Sequence, residues 1–110
     1  VTARNSIIGL RSRIDKGVEI EDSIIMGSDI FETFEEIRSN KSRNIPHIGV
    51  DEGTVIRRAI VDKNVRIGKN VRLVNKEGQT NFDSPDRSYY IREGIIIIPK
   101  NAMIPDNTVI

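Results

Sequence analysis

The side chains able to do acid–base or metal chemistry are few, and their types narrow the options at once. Cysteine is absent, which removes disulfides and thiolate metal sites and is compatible with a reducing compartment. The single histidine, His47, follows Pro46 and cannot build a metal site without carboxylate help. It is the only imidazole available as a general base. Two pairs of adjacent acids, Glu35-Glu36 and Asp51-Glu52, read as solvated groups and not as a magnesium-binding constellation. Gly9, Gly17 and Gly27 stand too far apart for a phosphate-cradling loop. No catalytic, cofactor-binding or metal-binding residue is therefore expected within these 110 residues.

Whatever chemistry remains must be positioned by an unusual framework. Large aliphatics recur on a six-residue beat: Ile8, Ile14 and Ile20, then Ile56, then Val61, Ile67 and Leu73, and finally Ile98, Ile104 and Ile110. Six fits neither the 3.6 period of a helix nor the period of two of a strand. Four residues after each comes a small or β-branched side chain, Ser12, Val18, Ile24, Ile60, Val65, Val71, Ala102 or Thr108, so each unit offers two groups to one interior. The fourth position collects Arg11, Gly17, Ser23, Gly53, Asn64, Asn70, Asn101 and Asn107, rich in the residues that tolerate turn conformations. Self-similarity of this kind marks a solenoid in which stacking of neighbours creates the core. The expected fold is all-β, a hexapeptide-repeat parallel β-helix forming one domain over residues 1–110. A five-residue step between Ile56 and Val61 implies a bulge or a tightened corner.

The beat is kept in three blocks, about residues 2–27, 48–75 and 94–110. The first insertion, about 28–47, carries Ile30, Phe31, Phe34 and Ile37 at helical spacing opposite Glu32, Glu35, Glu36 and Arg38. This predicts a short amphipathic helix covering the side of its own β-structure, started by a capping box of Asp29 and Glu32 and ended by Ile45-Pro46. The second insertion, about 76–93, is expected to be a looped excursion with Tyr89 and Tyr90 packed at its base. Ile95 to Ile98 reads as an interface strand.

Lys+Arg 17 against Asp+Glu 16 gives a net charge of +1, which argues against nucleic acid or an anionic membrane as partner. That apolar run is also far short of the roughly 20 residues a membrane span needs.

The phrases Ile60-Val61-Asp62-Lys63-Asn64-Val65-Arg66-Ile67-Gly68, Tyr90-Ile91-Arg92-Glu93-Gly94-Ile95 and Lys100-Asn101-Ala102, with Ser6 to Ile14 at the start, resemble the carboxy-terminal domain of glucose-1-phosphate adenylyltransferase (ADP-glucose pyrophosphorylase). The resemblance covers nearly the whole chain. It implies a left-handed β-helix, a hand that periodicity does not supply. It implies also that the chain is a fragment of a longer nucleotidyltransferase, lacking an amino-terminal catalytic domain that uses ATP and magnesium to make ADP-glucose and pyrophosphate from ATP and glucose 1-phosphate for glycogen or starch synthesis. The implied partners are that catalytic domain, the other subunits of a homo- or hetero-tetramer and a phosphorylated metabolite effector. The implied location is cytoplasmic, or plastidial for a plant source. Two lysines that contact the effector's phosphate in regulated members of the family match Lys63 and Lys100, with Arg66 and Lys69 as weaker additions to the positive field. An ammonium at a corner offers a mobile charge and three donors to a phosphate. On residue type alone the same two lysines read as solvated turn residues. The competing readings are a hexapeptide-repeat acyltransferase using His47 as base, and a purely structural assembly module.

Overall fold

The computed structural model describes residues 1–110. Strands of two to four residues alternate with tight corners, and each coil feeds three sheets in turn. The first sheet stacks β1 (Thr2–Arg4), β3 (Glu19–Glu21), β6 (Val55–Arg57) and β9 (Arg72–Leu73), all parallel. The second begins with β2 (Ile7–Ile8), β4 (Ile24–Ile25), β7 (Ala59–Val61) and β12 (Ile95–Ile98), again parallel. The third stacks β5 (Gly49–Val50), β8 (Arg66–Ile67) and β13 (Met103–Ile104), with Ile14 bridging Val50 above them.

Parallel register places like positions over one another, so Ile20, Ile56 and Leu73 form one buried column and Val50, Ile67 and Ile104 another. A cluster of 16 buried residues results, almost all Ile and Val, as the low aromatic content requires. Ile8 follows the same alignment, paired with Ile25, yet is 39% exposed because β2 is the end strand of its sheet.

The step of five is a corner, not a bulge. Between the first and second sheets the chain turns on a single left-handed residue, Asn5, Asp22 or Arg58, each with φ near +50°. The neighbouring corners at Arg11, Gly17, Gly53, Asn64, Asn70, Asn101 and Asn107 also have positive φ, as the spacing predicts; Ser23 does not, because the short corner moves the turn to Asp22. That one-residue shift also corrects two interior assignments. Ile24 is 40% exposed and Ile60 only half-buried, while Ser23 and Ala59 occupy the interior positions. The small side chains suit a backbone bent this sharply. The Ser6 hydroxyl accepts from Ser23 N at 3.1 Å and the Ser23 hydroxyl accepts from Ala59 N at 3.1 Å, which satisfies amide groups that the turn removes from the strand ladder.

The second insertion is more ordered than a loop. Its ends form β10 (Asn81–Asp83) and β11 (Tyr90–Arg92), antiparallel to one another, and β11 pairs antiparallel with β12. The β11–β12 turn is Glu93-Gly94, both with positive φ, the two-residue connection that matches strand twist. β12 lies between β7 and β11, with Ile96 and Ile98 fully buried, so it is an interior strand of its sheet and not an edge. Tyr89 packs at the hairpin base against Phe82, ring centroids 5.8 Å apart.

The first insertion contains α1 (Phe34–Ser42), and its cap differs from the expected one. Thr33 is the N-cap, accepting from Glu36 N while Glu36 returns a bond to Thr33 N. Asp29 and Glu32 are engaged elsewhere. Nor does α1 cover the β-structure: none of its residues is buried, and Phe31 and Phe34 are each 81% exposed. No helix is long and apolar enough to cross a membrane.

If Ile56 and not Ile24 faces the interior, truncation separates them. Urea unfolding is expected to show Ile56→Ala losing about 2–5 kcal/mol and Ile24→Ala less than about 1 kcal/mol.

Candidate functional site

The corner joining the second and third sheets carries both lysines singled out in the sequence. Lys63-Asn64 and Lys100-Asn101 are the same corner on adjacent coils, with Asn101 N donating to Lys63 O at 3.1 Å and both asparagines in the left-handed conformation. The coil above reaches the corner at Gly27, whose carbonyl accepts from Asn64 N at 3.1 Å. From there the first insertion departs. Gly27 has φ +86°, and a Cβ at this position would run into the carbonyl of Leu10, so only glycine lets the chain leave while still in contact with the coil above. Gly49 performs the same task at the return, with φ +119° beside the carbonyl of Arg13.

Asp29, two residues past the exit, stands against the lysine corner. Asn64, only 5% exposed, grips it twice: Nδ2 donates to Asp29 Oδ1 at 2.8 Å, and Oδ1 accepts from Asp29 N at 3.2 Å. Asn64 Oδ1 also accepts from the Ser28 hydroxyl at 2.9 Å. Lys100 Nζ lies 4.0 Å from Asp29 Oδ2, and both side chains are about half exposed. The Asn64 hydrogen bond, opposed by desolvation and helped by the charges of Lys100 and Lys63, holds the Asp29 carboxyl below its ordinary value of 3.8. The Lys100 ammonium thus lies beside the Asp29 carboxylate, and the Lys63 charge also acts on it. Asn64 has the central role in this arrangement, although the sequence reading treated it only as a turn former.

The other two cations have different surroundings. Arg66 Nη1 donates to Glu32 Oε2 at 2.9 Å and to Pro46 O at 2.8 Å, while Glu32 Oε1 accepts from Ile48 N at 2.6 Å. Glu32 is almost wholly enclosed, so this ion pair clamps the two ends of the insertion together on the third sheet. Lys69 lies at the following corner, where its amide donates to Asp106 Oδ1 at 2.8 Å. Between α1 and the coils runs an apolar groove of about 510 Å³ that includes Ile30, Phe31, Phe34 and Ile37.

His47 is buried at 6% exposure. Nδ1 lies 2.8 Å from Ile48 O and Nε2 lies 2.8 Å from Asp15 Oδ2, so neither nitrogen is presented to a substrate. Asp51 is half-buried beside this pair, not solvated as expected, whereas Glu35 and Glu36 are exposed in the first turn of α1. Burial opposes the Asp15 charge, but hydrogen bonds with His47 and Asp51 and the charges of His47 and Arg13 outweigh it, leaving the carboxyl below its ordinary range.

Short parallel strands stacked by in-register corners, with a helical insertion rooted at one corner, define the class of parallel β-helices. Residues 1–109 match the GLGC left-handed parallel β-helix domain, and the chain belongs to that family. It is 49% identical over 109 residues to the inactive glucose-1-phosphate adenylyltransferase small subunit 2, chloroplastic, of Arabidopsis thaliana, an alignment taking in 97% of this chain and 23% of that protein.

The Asp29 tether makes a pH prediction. A depressed carboxyl stabilises above its ordinary value of 3.8 and loses that contribution as pH falls through the lower folded value. The Asn64 side-chain amide signal in NMR is expected to titrate with a midpoint below 3.8 and to become insensitive to pH in Asp29→Asn. A midpoint at or above 3.8 contradicts the tether.

Proposed function

We propose that this chain is the carboxy-terminal regulatory and assembly domain of a glucose-1-phosphate adenylyltransferase, wound as a left-handed β-helix. The reading rests on family membership together with one geometric observation, the stacking of Lys63 over Lys100 at a corner that already accommodates the Asp29 carboxylate. A phosphorylated metabolite fits such a corner, taking donors from two mobile ammonium groups. Lys69 adds to the field from the next corner, and Arg66 keeps the insertion in place beneath it.

In the longer enzyme the nucleotidyl transfer from ATP to glucose 1-phosphate, with magnesium, belongs to an amino-terminal catalytic domain, and this segment contributes no catalytic group. The effector acts by binding more tightly to one arrangement of the two domains than to another, joining the lysine corner to basic groups of the catalytic domain. The exposed Leu10, Phe31 and Phe34 suit burial against that domain or against further subunits of a tetramer. Such an enzyme works in the plastid of a plant or in the bacterial cytoplasm.

The test is a phosphate titration followed on the lysine side-chain signals, with 3-carbon and 6-carbon phosphate esters as comparison. Charge-assisted hydrogen bonds are worth roughly 1.5–3 kcal/mol, so Lys63→Ala or Lys100→Ala is expected to weaken binding by about tenfold or more. In the full enzyme the double substitution should blunt activation by the ester and spare basal turnover. Unchanged activation overturns the reading.

A further inference from the structure

A second cluster lies at the corner between the third and first sheets, on the other side of the insertion's return. Ile14 bridges Val50 and Asp15 N donates to Val50 O at 3.0 Å, so Asp15 and Asp51 leave the same corner on adjacent coils. Stacked carboxylates repel one another unless something positive lies between or beside them. His47 is carried to this place by the extended Ile45-Pro46 exit from α1. One oxygen or ring nitrogen from each of Asp15, His47 and Asp51 lies within 4.8 Å of the others.

The imidazole is oriented in a telling way. Its Nδ1 faces the carbonyl of Ile48 at 2.8 Å, and a carbonyl only accepts, so the Nδ1 proton is committed there. The neutral ring then directs the Nε2 lone pair at Asp15 Oδ2, another acceptor, 2.8 Å away. Two lone pairs cannot approach this closely with nothing between them. Either a second ring proton or a cation must lie there. A backbone carbonyl fixing one ring nitrogen so that the other can bind is the usual outer-shell arrangement of a metal-ligating histidine.

We infer that Asp15, His47 and Asp51 form a binding site for a first-row divalent cation of the zinc type, one nitrogen and two carboxylate oxygens closing on the ion. Bonds of about 2.0–2.1 Å from nitrogen and oxygen span a donor separation of 2.8 Å at close to a right angle, as in a five-coordinate centre, and a modest widening of the pair reaches the tetrahedral angle. An imidazole among the donors favours zinc over the harder magnesium. An open recess of about 350 Å³ borders the cluster and gives water a path to the remaining coordination positions. Arg13, Lys16 and Lys41 line this recess, but Asp15, Asp51 and Glu52 line it too, so no net positive field bars a cation. Bound metal would join two coils to the segment that returns from α1. The insertion would then be fixed at both feet, by Asn64 at its exit and by the ion at its return.

The experiment uses this chain stripped with EDTA and titrated with zinc alone, followed by calorimetry and thermal unfolding, and with cobalt for its visible absorption. The expected result is one zinc per chain, a raised Tm, and cobalt bands of a four- or five-coordinate centre. His47→Gln and Asp51→Asn are each expected to weaken zinc binding at least tenfold. Asp51→Asn is the more informative variant, because a simple His47–Asp15 ion pair does not need Asp51 and its removal leaves the fold intact. Absence of zinc-dependent heat, or stoichiometric binding that survives both substitutions, overturns the inference and leaves a protonated imidazole as the bridge. Neither result depends on phosphate binding at the lysine corner, so the two sites succeed or fail separately.

Discussion

Backbone hydrogen bonds between consecutive coils are the constraint on which this molecule depends. A strand of two or three residues has no stability of its own, and the chain has no long element to serve as a scaffold. Each coil obtains its partners from the coil above and the coil below, and this is possible only if every corner falls in register. Register therefore fixes sequence at two kinds of position. The inward column must be an aliphatic that packs on its own kind, and the corner must be a residue that accepts positive φ. Asn meets the second demand at five corners of the later coils, and at Asn64 its side chain is turned to a further use.

The same constraint explains how a 20-residue insertion is tolerated. The coil resumes in register across the gap, since Ile14 bridges Val50 as though nothing intervened, and the two feet are held by neighbouring coils and not by α1. At the exit, Ser28 N donates to Leu10 O above while Asn64 holds Ser28 and Asp29 below. At the return, Val50 N donates to Arg13 O above while Arg66 and Glu32 secure Pro46 and Ile48. An enclosed ion pair such as Glu32–Arg66 gains little net energy over an apolar replacement, but losing either partner strands a charge. Its value here is geometric: it sets where the chain re-enters and thereby where His47 and Asp51 stand.

Much of this was legible in the sequence, and the failures have a common physical source. The columns of Ile56, Ile67 and Leu73 and the asparagine corners follow from period alone, because period is what in-register stacking preserves, whereas Lys63 and Lys100 are singled out only by the family resemblance. Ile24 and Ile60 were misplaced because a fixed count of four assumes equal corners, and one corner of every coil is a residue short. The phrases Asp22-Ser23 and Arg58-Ala59, each just before an aliphatic pair, were the available signal. Within the insertions no period operates. Asp29 and Glu32 have the spacing of a capping box, but tertiary partners claim both, and the local competition is won by Thr33 and Glu36. The hairpin of β10 and β11 lacks alternation because Phe82 and Tyr89 pack on the core from outside the repeat.

The two faces of the insertion divide the surface into regions of different chemistry. Polar roots at Asn64 and at Arg66–Glu32 are satisfied internally, with no buried side-chain donor or acceptor left without a partner. The apolar side chains that the insertion carries, Ile30, Phe31 and Phe34, are by contrast left exposed to water. A fold that satisfies each buried polar atom while exposing two phenylalanines is not short of packing; the insertion contributes the two most exposed aromatics of the chain. The lysine corner adjoins that side, since Asp29, which bonds to Asn64 and faces Lys100, is followed at once by Ile30 and Phe31. A rigid β-scaffold thus presents charge and apolar surface next to one another through a single segment, with the residues beside Lys100 leading directly into the exposed Ile30 and Phe31.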